Sequence, residues 1–116
     1  MLGLRFDGYY IAKRNDTHGM LRFYRDGAVI CASVTGTPAS IEKQITKWFK
    51  RGHKAVAVGN FDIDGPKVTF AIDTRFGPTK YDGVLQADGG LSVHWTIEGK
   101  PRKGPDAYAF TPAELP

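Results

Sequence analysis

The stretch Lys67–Asp73, KVTFAID, puts Val68, Phe70 and Ile72 on one side of an extended chain and Lys67, Thr69, Ala71 and Asp73 on the other. Strict alternation of this kind marks a strand with one face buried. LSVHWTIE repeats it, with Leu91, Val93, Trp95 and Ile97 opposite Ser92, His94, Thr96 and Glu98. KYDGVLQAD is a weaker copy, with Tyr81, Gly83, Leu85 and Ala87 opposite Lys80, Asp82, Val84 and Gln86. Turn-forming pairs and triplets punctuate these runs at Asp7-Gly8, Asp26-Gly27, Asp64-Gly65, Gly77-Pro78, Asp88-Gly89-Gly90 and Glu98-Gly99-Lys100. The pattern predicts strands over 6–13, 19–25, 28–35, 54–63, 67–75, 79–87, 90–98 and 105–111, joined mostly by hairpins.

One segment departs from period two. TPASIEKQITKWFKRG places Ile41, Ile45, Trp48 and Phe49 on one helical face. Thr37 suits the N-cap, Pro38 the first helical position and Gly52 the stop. The spacing predicts an amphipathic helix over about 38–51, between the third and fourth strands. Its apolar face must cover the open end or the flank of the sheet. As a lid it would close the hollow of a barrel.

Eight strands in series leave two raw edges unless the first meets the last. Closure removes both edges, and about eight strands is the size that just fills with side chains or holds one small ligand. The expected fold is therefore mainly β, an antiparallel meander closed or nearly closed into a barrel. At 116 residues the chain has the length of one domain, 1–116, with 112–116 expected to fray. The 14 glycines agree with many tight turns.

The single cysteine, Cys31, excludes an internal disulfide. The opening MLGLRFDGYYIAKR lacks the basic and long apolar regions of a signal peptide, and no apolar run approaches the ~18 residues of a membrane span. These features favour a cytoplasmic protein. The P-loop, the dinucleotide fingerprint, Gly-x-Ser-x-Gly and His-Glu-x-x-His are absent, so no residue is assigned a catalytic role. His18, His53 and His94 fall on three separate elements, and neither a metal nor a cofactor is expected. Cys31 reads as a buried, inert thiol.

Inward residues of mixed size, large at Phe23, Phe61, Phe70 and Trp95 and small at Ala57, Gly59, Gly83 and Ala87, fit tight interdigitation or a ligand-sized cavity. For a cavity, the candidate lumen or rim residues are Tyr10, Tyr24, Phe70, Arg75, Tyr81 and Trp95. Tyrosine offers apolar area with a polar tip, and Arg75 at a strand end offers a fork for an acidic group. Net charge is +4, and Lys43, Lys47, Lys50 and Arg51 gather on the polar side of the helix. That face is a candidate surface for an acidic protein partner; nucleic acid is less favoured, because the motifs of the common RNA modules are missing. Oligomeric state is not legible.

FDGYY at the opening strand, about eight strands in a meander and one helix together resemble the calycin barrels: lipocalins, fatty-acid-binding proteins and avidins. Gly8-Tyr9-Tyr10 is similar to their Gly-x-Trp, with Tyr10 in the Trp position. The chain departs from them in its shorter length, in lacking the Thr-Asp-Tyr segment and a last-strand arginine, and in the placement of its helix. The resemblance implies a small apolar ligand, and the expected function is a non-enzymatic binding barrel for a small apolar or amphiphilic molecule, although some calycin-like barrels carry out isomerase chemistry. The alternative is an interaction or inhibitor module using the basic helix face.

Overall fold

The computed structural model describes residues 3–14, 17–74 and 76–115. Its elements are β1 (Gly8–Arg14), β2 (Thr17–Phe23), β3 (Ala28–Val34), α1 (Pro38–Trp48), β4 (Ala57–Asp64), β5 (Lys67–Thr74), β6 (Gly77–Leu85), β7 (Leu91–Ile97) and β8 (Lys103–Pro112). Each strand pairs antiparallel with the next, and β8 returns to β1, so the sheet is a closed barrel. The closing seam pairs Gly8 with Pro112, Tyr9 with Thr111, Tyr10 with Phe110 and Ile11 with Ala109.

Hairpin chemistry sets the register. At the β2–β3 turn the Asp26 carboxylate accepts the Ala28 N–H at 3.2 Å, and Gly27 takes φ +97°, a conformation costly for other residues. Alternation then divides the side chains into two cores. Tyr10, Ala12, Leu21, Phe23, Val29, Val68, Phe70, Ile72, Leu91 and Val93 point into the lumen. Tyr9, Met20 and Ile30 point out and meet Ile41, Ile45 and Phe49 of the helical segment.

Helix α1 therefore lies on the outer wall of β1–β3 rather than over the mouth of the barrel. The reason is local composition. β5 exposes a polar outer face, whereas β1–β3 carry apolar residues on both faces, which must be covered on both sides. Ile41, Ile45 and Phe49 are fully buried there, and each contributes about 1.5–3 kcal/mol of hydrophobic stabilisation. Thr37 caps the helix by accepting the Ser40 N–H at 3.2 Å. The helix ends at Trp48, with Phe49 as its C-cap, earlier than Gly52, and Arg22 of β2 donates to the Phe49 carbonyl at 2.8 Å. Ala113 and Leu115, beyond β8, pack against the same outer cluster.

One half of the lumen is solid. Phe23 stands at its centre and meets Tyr10 at 5.6 Å, Phe61 at 5.2 Å and Phe70 at 5.6 Å between ring centres, each edge to face. Phe110 packs on Tyr10 at 5.0 Å, and Tyr81 stacks on Phe70 at 4.6 Å. Edge-to-face and offset geometries suit the ring quadrupoles and add to the burial energy. Arginines close this end: the Arg5 guanidinium lies 4.3 Å over Phe110, and that of Arg25 lies 4.9 Å over Phe6. Arg5 also gives its backbone N–H to the Tyr10 hydroxyl at 3.0 Å.

Candidate functional site

The other half is hollow. A cavity of about 630 Å³ opens at the end where β1, β3, β5 and β7 finish. Its floor meets the aromatic cluster through Tyr81, which lines the cavity and stacks on Phe70. One wall is loose: β3 and β4 pair only from Ala28–Asn60 to Cys31–Ala57, and beyond that point Ser33 on one side and Lys54–Val56 on the other line the cavity.

Strand periodicity delivers the lining. On β1, Tyr10, Ala12 and Arg14 share the inward face, so the side chain above the floor is an arginine. On β8, Phe110, Tyr108 and Asp106 share it, so a phenol and a carboxylate lie above the ring that packs on Tyr10. The seam between these strands brings the two sets together. Arg14 Nε donates to Asp106 Oδ2 at 2.9 Å, and Arg14 Nη2 donates to the Tyr108 hydroxyl at 2.7 Å. A shift of register between β7 and β8 at Val93/Trp95 interrupts the ladder beside Trp95. Its indole Nε1 donates to the same Asp106 oxygen at 3.1 Å, and the Arg14 guanidinium sits 5.6 Å from its ring.

Gly19 makes room for this cluster. A Cβ there would stand 3.1 Å from both Arg14 Cζ and the Tyr108 oxygen, tighter than nearly all real contacts. The guanidinium therefore lies against bare main chain of β2. Burial pushes the Tyr108 hydroxyl up to about 12, with Asp106 adding to the rise and Arg14 opposing it. Burial likewise raises Tyr81 and Cys31. At neutral pH all three keep their protons, so they present neutral hydrogen-bonding groups, and Cys31 lacks the lowered pKa of a reactive thiol. Thr74 and Thr79 also line the wall, with both hydroxyls turned to the Gly77 carbonyl. Phe76, 65% exposed, stands at the mouth.

Of the candidates from sequence, Tyr81 and Trp95 line the cavity. Tyr10 and Phe70 belong to the packed half beneath it. Tyr24 lies at the β2–β3 turn outside the lumen, its ring 4.7 Å from the Arg22 guanidinium and 4.3 Å from that of Arg51. Arg75 lies outside the described residues. Lys43, Lys47, Lys50 and Arg51 are exposed on or just beyond α1. Arg51 is held by Asp26 at 2.7 Å, an exposed pair of small energetic weight. Arg14, Gly19 and Asp106 are not among those candidates, and Tyr108 stands out in the sequence only as one of five strand tyrosines. Their signal was the alternation Tyr10–Ala12–Arg14 and Asp106–Tyr108–Phe110, which becomes a site only once β1 and β8 are known to touch.

Among the described residues no helix is long and apolar enough to cross a membrane. No protein-family model, no curated protein and no solved structure matches the chain.

Proposed function

We propose that the protein is a non-enzymatic binding barrel that holds a small amphiphilic molecule in its open half, as calycin-type barrels hold theirs. The observation that carries this reading is the division of one lumen into a packed aromatic floor and a cavity of about 630 Å³. That volume lies within the ~300–1,000 Å³ typical of small-molecule sites. The wall mixes apolar area from Leu21, Ala57, Trp95 and Ile97 with the polar tips of Arg14, Tyr81 and Tyr108. A few convergent polar groups on an apolar wall fix the orientation of an amphiphile.

The test uses Trp95, whose indole is part of the wall. With Trp48→Phe removing the other tryptophan, emission reports the cavity alone. Titration with naphthalene-2-carboxylate, retinol, haemin and palmitate is expected to move the emission and raise the melting temperature for the compact members of the panel. Emission and melting temperature unmoved by every member would remove the proposal. A second reading, docking of an acidic protein, is favoured by Lys43, Lys47 and Lys50, which are exposed and make no ion pair among the described residues. Reversing those three charges separates the readings, since it leaves probe binding in the cavity intact.

A further inference from the structure

We propose that the molecule taken by the open half carries a single carboxylate, seated against Arg14 and Tyr108, on a compact ring-bearing body. This rests on the binding-barrel reading above. Three observations lead to it.

The first is charge. Among the described residues lining the cavity, Arg14 and Lys54 are cationic and none is anionic. Asp106 stands behind the lining, with its Oδ2 already accepting from Arg14 and Trp95. Among the described residues, two cations against one carboxylate leave one positive charge, which a monoanion neutralises. A phosphate monoester dianion would exceed it.

The second is the balance of donors and acceptors. The Arg14 guanidinium has five N–H groups. One goes to Asp106 and one to Tyr108, and the remainder have no acceptor among the described residues. Tyr108 accepts from Arg14 and stays protonated, so its own O–H is available to donate. The hydroxyls of Thr74 and Thr79 donate to main chain, yet both sit beside a wall whose free groups are mainly donors. A surplus of donors in a partly desolvated cup selects a ligand rich in acceptors, and guanidinium with phenol is geometrically suited to a planar carboxylate.

The third is depth. On β2 the lining runs from Gly19 to Leu21 and on β3 from Cys31 to Ser33. At ~3.3 Å per residue the cup is about 7 Å deep along the strand. An extended long-chain acid is longer than this. A short, wide body between Trp95, Tyr81 and Leu21 fits.

The experiment is calorimetric titration of the full chain with matched probes: naphthalene-2-carboxylate, naphthalene-2-carboxamide, 2-naphthyl phosphate and palmitate. The carboxylate is expected to bind about tenfold or more tighter than the carboxamide, the margin of one or two charge-assisted hydrogen bonds. It should also exceed the phosphate and palmitate. Arg14→Gln should erase the preference of carboxylate over carboxamide, and Arg14→Lys should keep part of it. Because the preference is read within the parent protein, it stands even where a variant folds poorly. Equal affinity for carboxylate and carboxamide, with Trp95 emission moved by both, overturns the carboxylate and leaves the cup. Binding by no probe overturns the cup itself.

Discussion

Replacing Phe23 by alanine is expected to destabilise the protein by about 3–5 kcal/mol, the range for deleting a large buried aromatic. Phe23 is 1% exposed and is the ring on which Tyr10, Phe61 and Phe70 converge. Truncation removes three edge-to-face contacts at once and leaves a void that neighbours on three different strands cannot close without shifting the sheet. For a domain of this size the loss lowers the melting temperature by roughly 12–20 °C. Phe23→Leu keeps most of the volume and is expected to cost about 1–1.5 kcal/mol. Urea unfolding checks both: the midpoint falls in that order while the slope stays constant, since the exposed surface is unchanged. A Phe23→Ala variant as stable as the parent would mean that the closed half is not packed as described.

The second large effect is expected at Gly8. It stands at the start of β1 on the seam that closes the barrel, opposite Pro112. A Cβ at this position would run into the Thr111 carbonyl oxygen and would lie 2.8 Å from Pro112 Cα and 2.9 Å from Phe110 Cζ. Two of those atoms are main chain and cannot rotate away, so Gly8→Ala forces β1 and β8 apart. Overpacking in a tolerant core costs about 1–3 kcal/mol. Here the cost should reach the top of that range or pass it, because the parted seam also loses ladder hydrogen bonds. The melting temperature should drop by at least about 10 °C. The amides of Tyr10 and Ile11 should exchange with solvent far faster, and the freed edges should promote association. A variant melting within a degree or two of the parent would contradict a tightly closed seam.

Most of the architecture was legible because one signal, alternation between turn pairs, recurs along the chain. KVTFAID and LSVHWTIE form β5 and β7 within a residue or two of expectation, and turns fall at Asp26-Gly27 and, one residue on from Asp64-Gly65, at Gly65-Pro66. The position of the helix was readable too, from a different cue. Tyr9-Tyr10-Ile11-Ala12, Met20-Leu21 and Val29-Ile30-Cys31-Ala32 do not alternate; they are apolar on both faces and call for a cover. These runs place α1 on the outer wall instead of over the mouth as a lid. The site was less legible for a physical reason. Arg14 and Tyr108 are 94 residues apart in sequence and meet only through the closing seam. A single alternating strand shows which face a residue shares, but not which face of another strand it will meet. Likewise nothing local divides Tyr10 and Phe70, in the floor, from Tyr81 at the cavity, since all three occupy inward positions of ordinary strands.

One lumen is divided into a solid half and an open half, and the open half is the proposed binding site. The most direct test is a titration of the labelled protein with naphthalene-2-carboxylate, followed by amide and indole proton–nitrogen spectra. Shifts are expected to concentrate at Arg14, Gly19, Ser33, Ala57, Tyr108 and the Trp95 indole, while Phe23, Phe61, Ile41 and Ile45 stay still. Shifts centred on Lys43, Lys47 and Lys50, or a spectrum unchanged at saturating probe, would contradict the proposed site.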